Sequence, residues 1–191
     1  MSRLLRAAAL FTFVAVPVFA APLFGPPERL NVFVSGGRSV QNWHGQADFQ
    51  SLNLELMRDW SPRTEVGFVT APSVIKQPRS WFGNKYGDPD ETARAISGSF
   101  LIRRRFLRQS QRVQPYIELS SGPMWSSRRV PAATSHFNFI SQAGFGAVLA
   151  PTRSMSFVLG YRMAHISNGG YASRNPGLNV NAVVFGTRIR P

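Results

Sequence analysis

Two side chains with catalytic potential, His165 and Ser167, lie two residues apart near the C-terminal end of the sequence. Side chains on an extended strand alternate between its two faces, so this imidazole and this hydroxyl would point to the same side. A histidine beside a serine can act as a general base that turns the hydroxyl into a nucleophile. The pair therefore indicates ester hydrolysis, provided that a strand holds both residues.

The segment that follows the pair contains residue types that could complete such a site. Hydrolysis of an ester needs hydrogen-bond donors for the oxyanion of its tetrahedral intermediate. Asn168 and the amides of Gly169 and Gly170 are donors within reach in sequence. Asn175-Pro176-Gly177 suits a type II turn with proline and glycine at its central positions. Such a turn would bring the next strand back alongside the pair.

The order His-x-Ser-Asn, Asn-x-Gly and then an acidic residue two positions later resembles the PagL-type lipid A 3-O-deacylases, an outer-membrane family also described as acyloxyacyl hydrolase-like. The resemblance implies that Ser167 is the nucleophile and His165 the general base. It assigns a supporting role to Asn175. It also implies a carboxylic ester hydrolase that removes the 3-O-linked acyl chain of lipid A, with lipopolysaccharide as substrate and with no cofactor or metal.

One position departs from the family pattern, because Asn179 stands where a glutamate is expected. An amide oxygen can accept a hydrogen bond from the imidazole and fix its tautomer, but it supplies no negative charge. Three outcomes stay open: a slower enzyme, a substitute carboxylate such as Glu118, or a loss of activity. Asn179 therefore favours an alternative function, a non-catalytic small outer-membrane barrel with a structural or adhesive role, whereas the intact pair counts against it.

Short segments in which apolar and polar residues alternate predict the elements that would hold this site. Leu52, Leu54 and Leu56, for example, alternate with polar residues. In lipid, only a closed barrel satisfies every backbone group of such strands. The predicted fold is all-β, an eight-stranded antiparallel up-and-down transmembrane β-barrel with strands at residues 29–36, 49–60, 64–71, 93–107, 113–121, 136–149, 154–167 and 178–189.

The predicted connections alternate between short and long, as outer-membrane barrels do between periplasmic turns and external loops. His165 and Ser167 then lie at the outer end of the seventh strand and continue the alternation of Leu159, Tyr161 and Met163. If that stripe faces lipid, the pair faces lipid near the headgroups of the outer leaflet, where lipid A resides. The short connections are 61–63, 108–112 and 151–153, and the long ones are 37–48, 72–92, 122–135 and 168–177.

The N-terminal segment reads as a signal peptide, with Arg3 and Arg6 before an apolar stretch and small residues up to Ala20. We expect cleavage after residue 20, export to the outer membrane of a Gram-negative type of cell, and a single barrel domain over 21–191. The apolar stretch of about fifteen residues is short for a membrane-spanning helix, so cleavage is favoured over the alternative, a retained anchor.

The formal net charge of the chain is +13, and the sequence contains no cysteine. An exported basic protein rarely meets nucleic acid, so an anionic lipid is the expected partner; a solvated basic surface without a partner is the alternative. The three histidines show no metal-ligand spacing. The oligomeric state is left open, with a homodimer as one option. The external loops carry cations that could meet lipid A phosphates: Lys76, Arg79, Lys85, Arg128, Arg129 and Arg174.

Two further interpretations concern the barrel wall and its interior. Four aromatic residues near predicted strand ends suggest an aromatic belt, although each could equally be an ordinary core aromatic: Trp60, Tyr116, Trp125 and Tyr161. A soluble periplasmic barrel that binds lipid inside is a second alternative. It would need an apolar interior and a polar exterior.

Overall fold

Eight antiparallel strands form a closed barrel in which each strand pairs with the next and the last pairs with the first. A computed structural model describes residues 27–40, 46–77, 92–107, 112–132, 134–150 and 156–189. The predicted fold class is confirmed. The strands are β1 (Arg29–Ser39), β2 (Asp48–Ser61), β3 (Thr64–Lys76), β4 (Thr92–Arg105), β5 (Val113–Ser126), β6 (Phe137–Leu149), β7 (Ser156–Ser167) and β8 (Leu178–Ile189).

Strands β3 and β5 continue past prolines at which the sequence pattern predicted an end. Pro72 pairs with Ile96 on β4, while the ladder between β2 and β3 is interrupted beside it. Pro123 likewise pairs with Phe139 on β6, while the ladder between β4 and β5 is interrupted. A proline lacks a backbone donor, so each of these strands loses pairing on one side and keeps it on the other. The predicted ends of β3 and β5 were therefore too early.

The alternation of short and long connections is confirmed by the strand bounds. Two residues separate β2 from β3, whereas eight to fifteen residues separate β1 from β2, β3 from β4, β5 from β6 and β7 from β8. No helix in the described part of the chain is long and apolar enough to cross a membrane. The predicted signal segment lies outside the described residues, as do the loop cations Arg79 and Lys85.

The lower half of the lumen, toward the short connections, contains a buried network of ion pairs. Glu118 accepts hydrogen bonds from Arg103 at 2.7 Å and from Arg162 at 2.5 Å. Glu55 accepts from the same two arginines at 2.9 and 2.6 Å. Arginine supplies several donors in a fixed fork, so each can bridge two carboxylates. The network continues around Glu65 with Arg29, Arg105 and Arg188.

The upper half of the lumen, toward the long connections, contains a large buried apolar cluster. Phe49, Ile75 and Met124 belong to one buried cluster, and Val130 and Ala132 of the β5–β6 loop close it from above. Apolar side chains also cover the outer wall, where Leu159 and Met163 of β7 are 51% and 53% exposed. A soluble barrel with an apolar interior and a polar exterior is therefore excluded.

Strand alternation decides which face of the barrel two groups of side chains occupy. Tyr116 faces the lumen, 2% exposed, where Arg103 lies 4.7 Å above its ring, so it is not part of an aromatic belt. The run Arg103-Arg104-Arg105 divides between the two faces. Arg103 and Arg105 are buried in the lumen, while Arg104 points outward and donates to Thr64 at 2.7 Å.

Candidate active site

A row of polar side chains crosses the outer wall at one level near the upper end of the strands. Strand register pairs Ser121 with Ser141, Ser141 with His165, and His165 with Asn179. All four side chains are exposed on the wall that carries the apolar surface. We call these four residues the polar row. Adjacent strands thus bring together residues that are up to 58 positions apart in sequence.

Within this row, His165 and Asn179 form a direct hydrogen bond. The imidazole Nδ1 lies 2.7 Å from the Asn179 side-chain oxygen. That oxygen can only accept, so Nδ1 carries the hydrogen and Nε2 of the neutral ring is left as an acceptor. The amide therefore fixes the tautomer that a general base requires.

Gly177 provides the space into which the imidazole leans. A Cβ atom built at Gly177 would lie 2.7 Å from Cε1 and 3.4 Å from Nε2 of His165, and the residue has a φ of +70°. A side chain at this position would collide with the ring and would also strain the backbone. Gly177 lies two residues from Asn179, toward the end of the barrel where Ser167 lies. Its contact with the imidazole means that the ring is tilted toward Ser167.

Ser167 ends β7 and is half-buried beside Phe139, its partner on β6. It shares the outward face of His165, as strand alternation predicted. Within the described residues, no hydrogen bond joins the Ser167 hydroxyl to the imidazole. Catalytic hydrogen bonds are often long in ligand-free structures and shorten when substrate binds.

Asn168 organises the loop between β7 and β8. Its side-chain amide donates to the Arg174 carbonyl at 2.6 Å, and its side-chain oxygen accepts from the Gly170 amide at 2.9 Å. Its own backbone amide donates to the Asn175 side-chain oxygen at 3.0 Å. Asn168 is 1% exposed, and we call its three hydrogen bonds the Asn168 clasp. The Gly170 amide is occupied by this clasp, whereas the Gly169 amide has no partner among the described residues.

The polar row opens onto an apolar groove on the outer wall, with a volume of about 680 Å³. The small side chains of the row and of Ala143 form its floor. Met163 bounds it beside His165 on β7, and bulkier side chains bound it on β4 and β5: Phe100, Ile102 and Leu119.

An aromatic cluster lies above the groove, next to Ser167. Tyr171 is 80% exposed and stacks on Phe139 with 6.3 Å between ring centroids. Phe137 packs edge-on against both rings. An exposed tyrosine such as Tyr171 beside an apolar wall is typical of the headgroup region of a membrane.

Glu118 cannot replace the missing acid, because it points into the lumen while His165 points outward. Both of its oxygens are held there by Arg103 and Arg162. In the part of the chain that the structure describes, no group of three or more histidine, cysteine or acidic residues could hold a metal ion.

Comparison with known proteins gives a family for this arrangement. The model of the family described as lipid A 3-O-deacylase (PagL) matches residues 40–188. The chain belongs to the PagL family. The match covers every residue of the candidate site. No curated protein sequence matches the chain.

Two solved structures share the barrel fold of this chain. The crystal structure of the outer membrane enzyme PagL is 18% identical, with a TM-score of 0.56 and coverage of 84% of this chain and 99% of that one. The crystal structure of Neisserial surface protein A (NspA) is 15% identical, with a TM-score of 0.61 and coverage of 85% and 96%. At these identities the likeness establishes the barrel fold alone. Family membership supports lipid A deacylation at the level of the family and an outer-membrane location.

Proposed function

We propose that this PagL-family protein is an outer-membrane esterase that removes the 3-O-linked acyl chain of lipid A. Ser167 is the nucleophile and His165 the general base. The observation that carries the proposal is the hydrogen bond between His165 Nδ1 and Asn179, which leaves Nε2 free on the face that also bears Ser167. The site opens to the apolar exterior of the barrel, where a lipid ester can reach it without leaving the membrane.

The reaction follows the acyl-transfer chemistry of serine esterases. Nε2 of His165 takes the proton of the Ser167 hydroxyl while Oγ bonds to the ester carbonyl carbon. When the tetrahedral intermediate collapses, the bond to the sugar 3-oxygen breaks, and that oxygen leaves with the proton from Nε2. Water then attacks the acyl-serine with the same base, which releases a free fatty acid and restores Ser167.

The oxyanion needs donors beside Ser167, and the clasp formed by Asn168 positions several of them. The Gly169 amide has no partner among the described residues. Asn175 uses its side-chain oxygen to hold Asn168, so its amide nitrogen is left to donate. The Gly170 amide and the second side-chain hydrogen of Asn168 complete the set, although the Gly170 amide would have to exchange its bond to Asn168.

A carboxylate at position 179 would orient the imidazole and would also stabilise its positive charge. Asn179 provides only the first of these two effects. It fixes the tautomer and orientation of the imidazole but does not stabilise the positive charge that His165 acquires in the transition state. We therefore propose a working but slow enzyme. The same residue is the observation that favours the second candidate, a non-catalytic outer-membrane barrel on this scaffold.

Purified protein in detergent micelles with lipid A tests the proposal. Mass spectrometry of the products should detect one 3-hydroxy fatty acid and a lipid A that has lost only that chain. Ser167→Ala and His165→Ala should each abolish the release. Ser173→Ala is a matched control, because Ser173 is an exposed serine in the same loop. If the folded native protein releases no acyl chain, the non-catalytic barrel becomes the better account. If Ser167→Ala retains activity, Ser167 is not the nucleophile.

A further inference from the structure

Three arginines form a cluster on the outer wall, at the end of the barrel where a two-residue turn joins β2 to β3. Arg58 on β2 and Arg104 on β4 face outward on either side of β3, and Arg63 lies in the turn. The Arg63 carbonyl accepts a hydrogen bond from the Arg105 amide at 2.7 Å, so the turn lies against the end of β4. We call Arg58, Arg63 and Arg104 the arginine patch.

The positive charge of the arginine patch is not balanced by acidic side chains. Within the described residues, no ion pair includes Arg58, Arg63 or Arg104. Three acidic residues lie near the patch, and each carboxylate is paired with an arginine of the lumen network: Glu28 with Arg29, Asp59 with Arg29 and Arg105, and Glu65 with Arg188. An anion that balances the patch must therefore come from outside the described chain.

Thr64 draws one arginine of the patch over the end of β3. Nη1 of Arg104 donates to the Thr64 hydroxyl oxygen at 2.7 Å, and the two residues are register partners. This bond uses one of the five N–H groups of the guanidinium. The hydroxyl hydrogen of Thr64 has no partner among the described residues, so it is available to an acceptor beside Arg104. Arg58 lies two strand spacings from β4, about 10 Å away.

The arginine patch lies at the level of lipid headgroups. Trp60 faces outward two residues beyond Arg58 and is 68% exposed. Toward the middle of the wall, Leu56 and Phe68 form an outward-facing apolar pair in register. An exposed indole at the edge of an apolar wall is typical of a membrane interface. The short turns of outer-membrane barrels face the periplasm, so the adjoining leaflet is the one composed of phospholipids.

The chemistry of the arginine patch favours a phosphate group with a net negative charge. The planar fork of a guanidinium matches two oxygens of a phosphate, and clustered arginines attract anionic lipids at a membrane surface. A zwitterionic headgroup also carries an ammonium group, which the three arginines would repel. No nearby carboxylate compensates for that repulsion, because the adjacent acids are already paired.

We propose that the arginine patch binds the phosphate of an anionic phospholipid in the periplasmic leaflet and discriminates against zwitterionic phospholipids. The bound lipid holds the end of the barrel with the short turns at the headgroup level. The site lies at the opposite end of the strands from the polar row, and the inference is independent of the esterase reaction.

Native mass spectrometry of the purified protein in a neutral maltoside detergent tests this inference. The probes are equimolar phosphatidylglycerol and phosphatidylcholine with the same acyl chains. The native protein should retain phosphatidylglycerol in preference to phosphatidylcholine. Arg104→Gln should weaken phosphatidylglycerol binding about fivefold, the effect of removing one cation beside an anionic lipid. A variant that combines Arg58→Gln, Arg63→Gln and Arg104→Gln should lose the preference.

Two further variants distinguish a specific site from general positive charge. Lysine at all three positions of the arginine patch preserves the charge and should keep most of the preference. The matched control combines Arg38→Gln, Lys76→Gln and Arg94→Gln, which removes three outward-facing cations from the opposite ends of β1, β3 and β4. This control should keep the native preference. Heat-modifiable gel mobility reports whether each variant forms the barrel. If the triple glutamine variant does not fold, Arg63→Gln in the exposed turn provides the same test.

Each of three results would overturn the site: equal retention of the two lipids by the native protein, an unchanged preference in the folded glutamine variants, or an equal loss of preference in the matched control. The last result would mean that overall positive charge retains the lipid. A native protein that prefers phosphatidylglycerol but releases no acyl chain from lipid A would refute the proposed esterase and leave this inference intact.

Discussion

Asn179→Asp should accelerate lipid A deacylation, because it adds a negative charge without changing the shape of the site. Aspartate has the length of asparagine, so its oxygen can occupy the acceptor position 2.7 Å from His165 Nδ1. The new carboxylate would stabilise the imidazolium that forms while His165 holds the proton of Ser167. Ground-state binding of the lipid should change little, so the gain should appear in kcat.

The size of the gain follows from the exposure of the site. Opposite charges about 4 Å apart attract by about 1 kcal/mol in water and about 4 kcal/mol at the effective dielectric constant of a protein surface. A lowering of the activation free energy by about 1.4 kcal/mol raises the rate about tenfold. The two attraction energies therefore correspond to rate increases of about fivefold and about 10³-fold. His165 and Asn179 are both exposed, so we expect about tenfold. A triad shielded from water can lose about 10⁴-fold when its acid becomes an amide.

The assay is the initial rate of fatty acid release from lipid A micelles by purified native protein and variants at matched concentration. Asn181→Asp is the control, because Asn181 lies two positions further along the same outward face of β8. Its carboxylate should produce a smaller gain. Asn179→Leu, which removes the acceptor, should slow the native reaction. If Asn179→Asp folds and is no faster than the native protein, Asn179 does not occupy the position of the acid.

Four other predictions follow from the structure. Gly177→Ala should lower kcat/KM by about 10², because displacing His165 by about 1 Å has an effect of that size; Gly36→Ala, which meets open space on β1 outside the groove, should keep the native rate. Glu118→Ala should destabilise the barrel by about 3–5 kcal/mol, measured by urea unfolding in detergent, because it leaves two buried arginines short of a partner. Tyr171→Ala should raise KM severalfold with little change in kcat, since its exposed ring offers the sugar a stacking surface; equal losses in both parameters would contradict this role. The native protein should give no discrete conductance steps in a planar bilayer, because ion pairs and apolar side chains fill the described lumen.

The sequence was sufficient to predict the barrel because alternation and connection length are local signals. A run such as Leu52, Leu54 and Leu56 specifies which face of a strand meets lipid, whatever its neighbours are. The same alternation placed Glu118 on the face opposite to its apolar neighbours, and the structure confirms that it lies in the lumen. For Tyr116 the core alternative is the correct one, because closeness to a strand end does not specify a face.

Other features depend on register, which no single segment contains. His165 lies opposite Ser141 and Asn179 because of pairings between three strands. The sequence motif supplied only Asn179, through the family resemblance, and nothing local identified Ser141. Gly177 was predicted as a turn residue. Its contact with the imidazole appears only when β8 returns beside β7.

The most direct test of the central claim is mass spectrometry of lipid A from cells that produce the native protein, beside cells that produce Ser167→Ala at an equal level. The account predicts that only the native protein removes one 3-hydroxyacyl chain. An unchanged lipid A with the native protein folded in the outer membrane, or the same loss with Ser167→Ala, would contradict it.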